Sequence, residues 1–229
     1  MAEIIQIDDS TWRIEDNFVR MFLLEGTEKA LLIDSGLTTK NAKELAEGLT
    51  KKPLILLNTH SDGDHIAGNE AFGSFYMHPA DEPNYRKMGK TGTLLPVEDG
   101  DVIDLGERPL QIISIPGHTP GSIAVLDLNN RILFSGDTVQ DSVIYMFSER
   151  RDMPEYIRSL KKLCLLKDRF DTVYGSHGSV PLPPDQIDKL IDGAEKVLAG
   201  ECEGEEVEVH GNRVMRYMFP YAGFYRDLE

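Results

Sequence analysis

A chain of 229 residues, 41% hydrophobic and 28% charged, is long enough to bury a substantial core and reads as a single domain over residues 1–229. Its 39 acidic residues against 24 basic ones, a net charge of −15 without any basic run, exclude nucleic acid as a partner, because phosphate binding needs a positive surface. No window is apolar enough to span a membrane, the first residues lack the basic and apolar regions of a secretory signal, and two cysteines are too few for a disulfide framework, so a reducing, cytoplasmic setting is expected.

The first elements in chain order are short strands at residues 4–7, 11–14, 19–25 and 30–34, with Glu25-Gly26-Thr27-Glu28 as a hairpin turn. A helix follows over residues 39–49, placing Ala42, Leu45, Ala46 and Leu49 on one face, and Pro53 ends it. Residues 53–58 read as a strand, His78 ends another, and a helix starts after Pro79. A run of strands fills 102–134, helices cover 154–166 and 184–198, and a last hairpin joins 206–210 to 213–219 through Gly211-Asn212, with His210 beside the turn facing solvent. Cys164, inside the first of those helices, reads as a small core residue. Alternating sheet segments and helices of this kind indicate two mixed sheets covered on their outer faces, a four-layer αββα sandwich.

Four of the six histidines form one ordered series with three aspartates: His60-Ser61-Asp62-Gly63-Asp64-His65, Gly117-His118, Gly136-Asp137 and Ser176-His177-Gly178. Each group sits in a turn just after a predicted strand, where a rigid scaffold can hold ligands near one another. Neutral imidazoles and carboxylates together suit one or two divalent first-row metals. A calcium loop at Asp62-Gly63-Asp64 is excluded, because Gly73 stands where a bidentate Glu would be needed.

These residues in this order resemble the metallo-β-lactamase superfamily, from Leu32-Ile33-Asp34-Ser35-Gly36 through Pro116-Gly117-His118-Thr119-Pro120-Gly121-Ser122 and Phe134-Ser135-Gly136-Asp137-Thr138 to Gly175-Ser176-His177-Gly178. The resemblance implies two divalent metal ions, zinc first, and a hydrolase that uses a water or hydroxide between them to cleave an ester, thioester or lactone of a small molecule. It places His60, Asp62 and His118 around one ion, Asp64, His65 and His177 around the other, and Asp137 between them. Asp64 would orient the nucleophile and relay its proton. Tyr145, or Tyr221 and Tyr225 near the C-terminus, would add a donor to the oxyanion, although packing is the commoner duty of such residues. Asp34 would orient a ligand histidine from beneath the metal layer. Residues 139–150 and 213–221 would cover the metals and shape the substrate pocket. A homo-oligomer is compatible with the sequence, which does not specify one. The short acidic tail does not resemble the helical region with which glyoxalase II holds its thiol carrier.

The family's first motif is HxHxDH, and here Asp62 takes the place of its second histidine. Carboxylate oxygen and imidazole Nδ1 both lie three bonds from Cα, so the reach is retained, but the carboxylate adds a negative charge. Three aspartates and a hydroxide would neutralise two dications, giving a less electrophilic centre and favouring iron or manganese. The chain also resembles flavodiiron proteins, which carry Glu at this position and have the same 19-residue step from His118 to Asp137. A di-iron oxidoreductase would need a separate electron donor, since only 52 residues follow His177. A non-catalytic metal-binding or sensing domain is the third reading, with Asp62 hydrogen-bonded to nearby backbone.

Overall fold

The computed structural model describes residues 2–39 and 41–228. The first sheet takes its seven strands in chain order: β1 (Glu3–Asp8), β2 (Thr11–Asp16), β3 (Val19–Glu25), β4 (Ala30–Ile33), β5 (Leu54–Leu57), β6 (Ser74–Met77) and β7 (Thr93–Pro96). It is antiparallel through β4 and parallel from β4 to β7, so it is mixed as expected. β8 (Val102–Asp104), β9 (Pro109–Ser114), β10 (Ile123–Asp127) and β11 (Ile132–Gly136) form an antiparallel second sheet. β12 (Val143–Met146) then leaves it, and β13 (Thr172–Gly175) returns to pair parallel with β11.

The sequence reading had no place for the third sheet. β14 (Glu205–Val209) and β15 (Asn212–Phe219) make the expected terminal hairpin, and β16 (Ala222–Asp227) joins it to β12 in the order β12-β16-β15-β14. The β12–β16 pairing is parallel and spans about a third of the chain, a contact that no local pattern announces.

β3 is buried along nearly its whole length because both faces are covered. Phe22 and Leu24 point between the sheets, where they meet Ile112, Ile123, Val125 and Phe134. Met21 and Leu23 point outward, with Ala42 and Ala46 of helix α1 (Ala42–Leu49) and Tyr85 of helix α2 (Glu82–Lys87) in the same cluster. β10 divides in the same way. Its Ile123 and Val125 belong to the inter-sheet core, whereas Ala124 and Leu126 pack toward helices α3 (Met153–Cys164) and α4 (Gln186–Ala199). The period-two alternation thus builds the αββα layering directly.

The helix ends carry their expected signals. Asp152 caps α3 by accepting from the Glu155 N–H at 2.7 Å, with Pro154 in the first turn. Gly200 closes α4 in the left-handed conformation. α1 starts later than its apolar spacing suggests. Thr39 is not helical, and Lys40, like Met1 and Glu229, lies outside the described residues. Cys164 is only half-buried and packs against the core from outside, with its thiol pushed up to about 11 chiefly by burial, so it is an inert group. Among the described residues, no helix is long and apolar enough to cross a membrane.

Candidate metal centre

All seven series residues converge at one end of the two sheets, on the loops that follow β5, β9, β11 and β13. Glycines let these loops press close. Gly117 has φ 131°, and a Cβ there would come within 2.3 Å of the Tyr156 backbone N on α3. The loop after β5 is held by a buried polar network in which Asn58 donates to the His65 carbonyl at 3.0 Å and Asn69 donates to Asn58 at 2.7 Å.

The hydrogen bonds at Nδ1 fix how the four imidazoles face. His65 Nδ1 donates to Asp34 at 2.8 Å, His118 Nδ1 to the Tyr145 carbonyl at 3.1 Å, and His177 Nδ1 to the Phe18 carbonyl at 2.8 Å. His60 Nδ1 donates to Thr59 Oγ1 at 3.0 Å, because the hydroxyl spends its own proton on Asp34 at 2.8 Å. Every Nε2 is therefore the nitrogen turned to the centre, able to present a lone pair to an ion once it carries no proton. Asp34 performs the orienting duty expected of it, from a left-handed backbone conformation (φ 62°) beneath the metal loops.

The free atoms are spaced as ligands of shared ions would be. His118 Nε2 and His60 Nε2 lie 3.3 and 3.6 Å from Asp62 Oδ2, and His177 Nε2 and His65 Nε2 lie 3.4 and 3.7 Å from Asp64 Oδ2. Asp137 stands between the two groups, with Oδ1 3.3 Å from His65 and Oδ2 3.3, 3.5 and 3.9 Å from His177, His118 and His60. Ligand bonds of about 2.0–2.2 Å at tetrahedral angles put donor atoms roughly 3.3–3.6 Å apart. Nε2 of His60, His65 and His118 and Oδ1 of Asp137 are buried without a hydrogen-bond partner, a costly condition that a cation relieves. The residues thus fit a pair of divalent ions.

Without an ion, protons and carboxylates share the site. Burial pushes Asp137 and Asp62 up, yet their imidazole neighbours, and for Asp62 also Arg151, hold both well below the usual carboxylate range. Burial also pulls His177 down, but Asp137 and Asp64 outweigh it and lift the ring to about 10; His65 is raised in the same way. His118 goes the other way, to about 4, through burial and the nearby charge of Arg151. Ion binding must displace the protons on His65 and His177.

Asp62 has a pair of partners that the sequence reading did not find. Arg150 Nη1 donates to Asp62 Oδ1 at 3.1 Å and Arg151 Nη2 to Oδ2 at 2.5 Å, in place of the backbone hydrogen bonds considered for a non-coordinating Asp62. The formally neutral centre deduced from ligand charges alone is corrected accordingly, since two guanidinium charges lie against the extra carboxylate. A second unanticipated residue is buried Asp81, which accepts from Ser61 N at 2.6 Å, Thr119 Oγ1 at 3.0 Å and Gly121 N at 2.9 Å, tying the His60 loop to the His118 loop. An adjacent arginine pair just after a segment expected to cover the metals was the available signal for the first. Asp81 offered none, being one acid among many.

The centre forms the floor of a cleft of about 710 Å³. Phe18 and Leu37 line it, as do Val143, Tyr145, Tyr225 and His210. The segment after Asp137 covers the site as expected, with Tyr145 on the wall. The terminal hairpin contributes differently. Exposed His210 is not simply solvent-facing; it stacks on Tyr145 with ring centroids 6.0 Å apart and lies 3.4 Å from its hydroxyl. Tyr225 reaches the cleft from β16, whereas Tyr221 and the strand before it are absent from its lining, and the Tyr221 hydroxyl turns to Asp192 at 3.3 Å.

Comparison with known proteins agrees with this geometry. The chain is 27% identical over 194 residues to the human acyl-coenzyme A thioesterase MBLAC2, covering 67% of this chain and 70% of that protein. It is 31% identical over 130 residues to the hydroxyacylglutathione hydrolase of Gloeobacter violaceus, covering 55% of this chain and half of that protein. The metallo-beta-lactamase from Pontibacter korlensis shares the fold, with a TM-score of 0.75 at 17% identity over 85% of this chain and 99% of that one. Residues 14–177, which carry every one of the seven converging side chains, match the metallo-beta-lactamase superfamily model, and the chain belongs to that superfamily of metal-dependent hydrolases.

Proposed function

We propose that this protein hydrolyses an ester, thioester or lactone bond of a small molecule at a pair of divalent ions, with zinc as the first choice of metal. The observation that carries the reading is the convergence of four Nε2 atoms and three carboxylates on the floor of a cleft with apolar and aromatic walls. When bound, the ions supply an activated water at neutral pH and polarise the carbonyl. His60, Asp62 and His118 would hold one, Asp64, His65 and His177 the other, with Asp137 between the two groups.

The remaining steps belong to side chains. In the ion-free site Asp64 is held ionised, because the charge of His65 and the hydrogen bond from His177 overcome its burial, and with cations in place of those protons its carboxylate would orient the attacking water and pass the proton to the leaving group. Tyr145 stays protonated, its hydroxyl pushed up by burial, and so can donate to the developing oxyanion from the cleft wall. Phe18, Leu37 and Val143 exclude water around the acyl group.

The names of the relatives put thioesters first among substrates. Arg151 is the only Lys or Arg among the cleft-lining residues described, and it is engaged with Asp62. A heavily phosphorylated carrier would find little counter-charge here, which favours a small, weakly charged thiol or alcohol as leaving group. A panel of esters, thioesters, lactones and β-lactams, assayed with zinc, manganese and ferrous iron, tests the reading; thioester turnover abolished by Asp64→Asn supports it, and no turnover with any metal overturns it.

Asp62 favours a second reading, a di-iron centre that reduces oxygen or nitric oxide with an external donor. Iron retained on purification, together with oxygen or nitric oxide consumption after anaerobic reduction, would establish that reading instead.

A further inference from the structure

The oxygen of Asp62 that faces the centre is the one that Arg151 holds. Oδ2 accepts from Arg151 Nη2 at 2.5 Å and lies 3.3 and 3.6 Å from Nε2 of His118 and His60. Arg151 also donates through Nη1 to the carbonyl of His118 itself. Arg150 holds the other oxygen and braces the same loop, reaching Ser61 Oγ at 3.3 Å and Asp81 Oδ2 at 3.6 Å. These contacts are shielded: the side chains of Arg151 and Asp62 are 10% and 19% exposed. Charge effects there are stronger than at an open surface.

The two halves of the centre therefore differ in charge. His60, Asp62 and His118 with Arg150, Arg151 and Asp81 sum to zero with neutral imidazoles, whereas Asp64, His65 and His177 sum to −1, and among the described residues no guanidinium is hydrogen-bonded to Asp64. A cation is therefore attracted less by the first set than by the second, before the shared Asp137 is counted. Each guanidinium also uses Asp62 as one of its acceptors, and an imidazole spending its lone pair on a metal cannot replace it.

We propose that Arg150 and Arg151 are positioning residues that adapt this centre to an aspartate at position 62: they aim Oδ2 at the ion and cancel the charge that the aspartate adds. The His60/Asp62/His118 half is consequently the weaker and more exchangeable of the two, and its ion stays as electrophilic as in a site built with a third imidazole. The proposal rests on the metal-binding part of the reading above and is independent of substrate.

The test is titration of the stripped full-length chain with Co(II) and Zn(II), followed by calorimetry and by the Co(II) visible spectrum. The wild type should bind two ions in separate steps. Arg151→Gln, with Arg150 still holding Oδ1, should tighten the second step by roughly tenfold, and Arg151→Lys should stay near the wild type. Asp62→His alone should loosen that step by roughly 10- to 100-fold, because two guanidiniums lose a shared carboxylate and its charge beside the ion. Adding Arg150→Gln and Arg151→Gln to Asp62→His should restore it. A second step loosened by Arg151→Gln, or tightened by Asp62→His with both arginines in place, overturns the proposal. So does equal affinity for both ions in the wild type. A wild-type chain that binds no ion overturns the metal reading itself, whereas two-step binding without turnover of any substrate overturns only the proposed hydrolysis.

Discussion

The two halves of the centre use the same parts with different surroundings. Around Asp64, His65 and His177, the supporting groups are acceptors: Asp34 under His65 and the Phe18 carbonyl under His177. Around His60, Asp62 and His118, acceptors again hold both imidazoles, but the carboxylate is gripped by two cations. Acceptors behind an imidazole make it a better metal ligand, and cations behind a carboxylate make it a poorer one. The affinity of each half is thus set by its supporting groups as much as by its ligands.

The largest expected effect removes the feature common to both halves. Losing an outer partner alone costs roughly 10- to 100-fold in metal affinity, so Asp137→Ala, which strips a ligand from both ions, should leave less than one ion per chain and hydrolysis beneath detection. Elemental analysis and the substrate panel would check this. His60→Ala and His65→Ala separate the halves. The first should keep one tightly held ion and the second should lose the tight site; one ion retained equally by both variants would erase the distinction.

Next in size is Asp34→Asn, which weakens the acceptor behind His65 while leaving its volume. Affinity at the tight half should fall by roughly 10- to 100-fold, seen as a lost first step in the zinc titration. Tyr145→Phe should act on rate alone, lowering kcat with little change in KM. The loss should be smaller than the roughly 100-fold of a dedicated oxyanion donor, because His210 shares the hydroxyl. Tyr221→Phe should change neither constant.

The smallest effect concerns pH in the stripped chain. His177 and His65 rise above 6.5 in the fold, His177 to about 10, so their stabilisation is complete below pH 6.5 and disappears as pH climbs toward 10. His118 is lowered to about 4, and it instead costs stability as pH falls from 6.5 toward 4. Melting temperatures of the metal-free chain should therefore fall on both sides of about pH 6.5. Zinc binding at neutral pH should release protons, measurable from calorimetry in buffers of different ionisation enthalpy.

Much of this site was legible in the sequence because its ligands sit at strand ends, and strand ends are marked by apolar runs breaking into glycine-rich turns. The supporting groups were less so. Asp34 came from the family resemblance, while Arg150 and Arg151 stand 88 and 89 residues from Asp62, beyond the reach of any local pattern. The charge argument was incomplete for that reason, since it counted ligands and could not count their neighbours. The cleft wall shows the same limit. Tyr221 and Tyr225 looked equivalent along the chain, yet the turn between β15 and β16 sends one toward α4 and the other to the metals.

By itself the sequence determined the αββα layering, the loops and the identity of the donor residues, because periodicity, turn residues and side-chain chemistry are local properties. The tertiary structure alone decided which nitrogen each histidine presents, which cations meet Asp62, and which strand of a third sheet closes the cleft. Those outcomes depend on groups brought within about 3 Å of one another from distant parts of the chain, a proximity that hydrogen bonding and charge require and that sequence order does not encode.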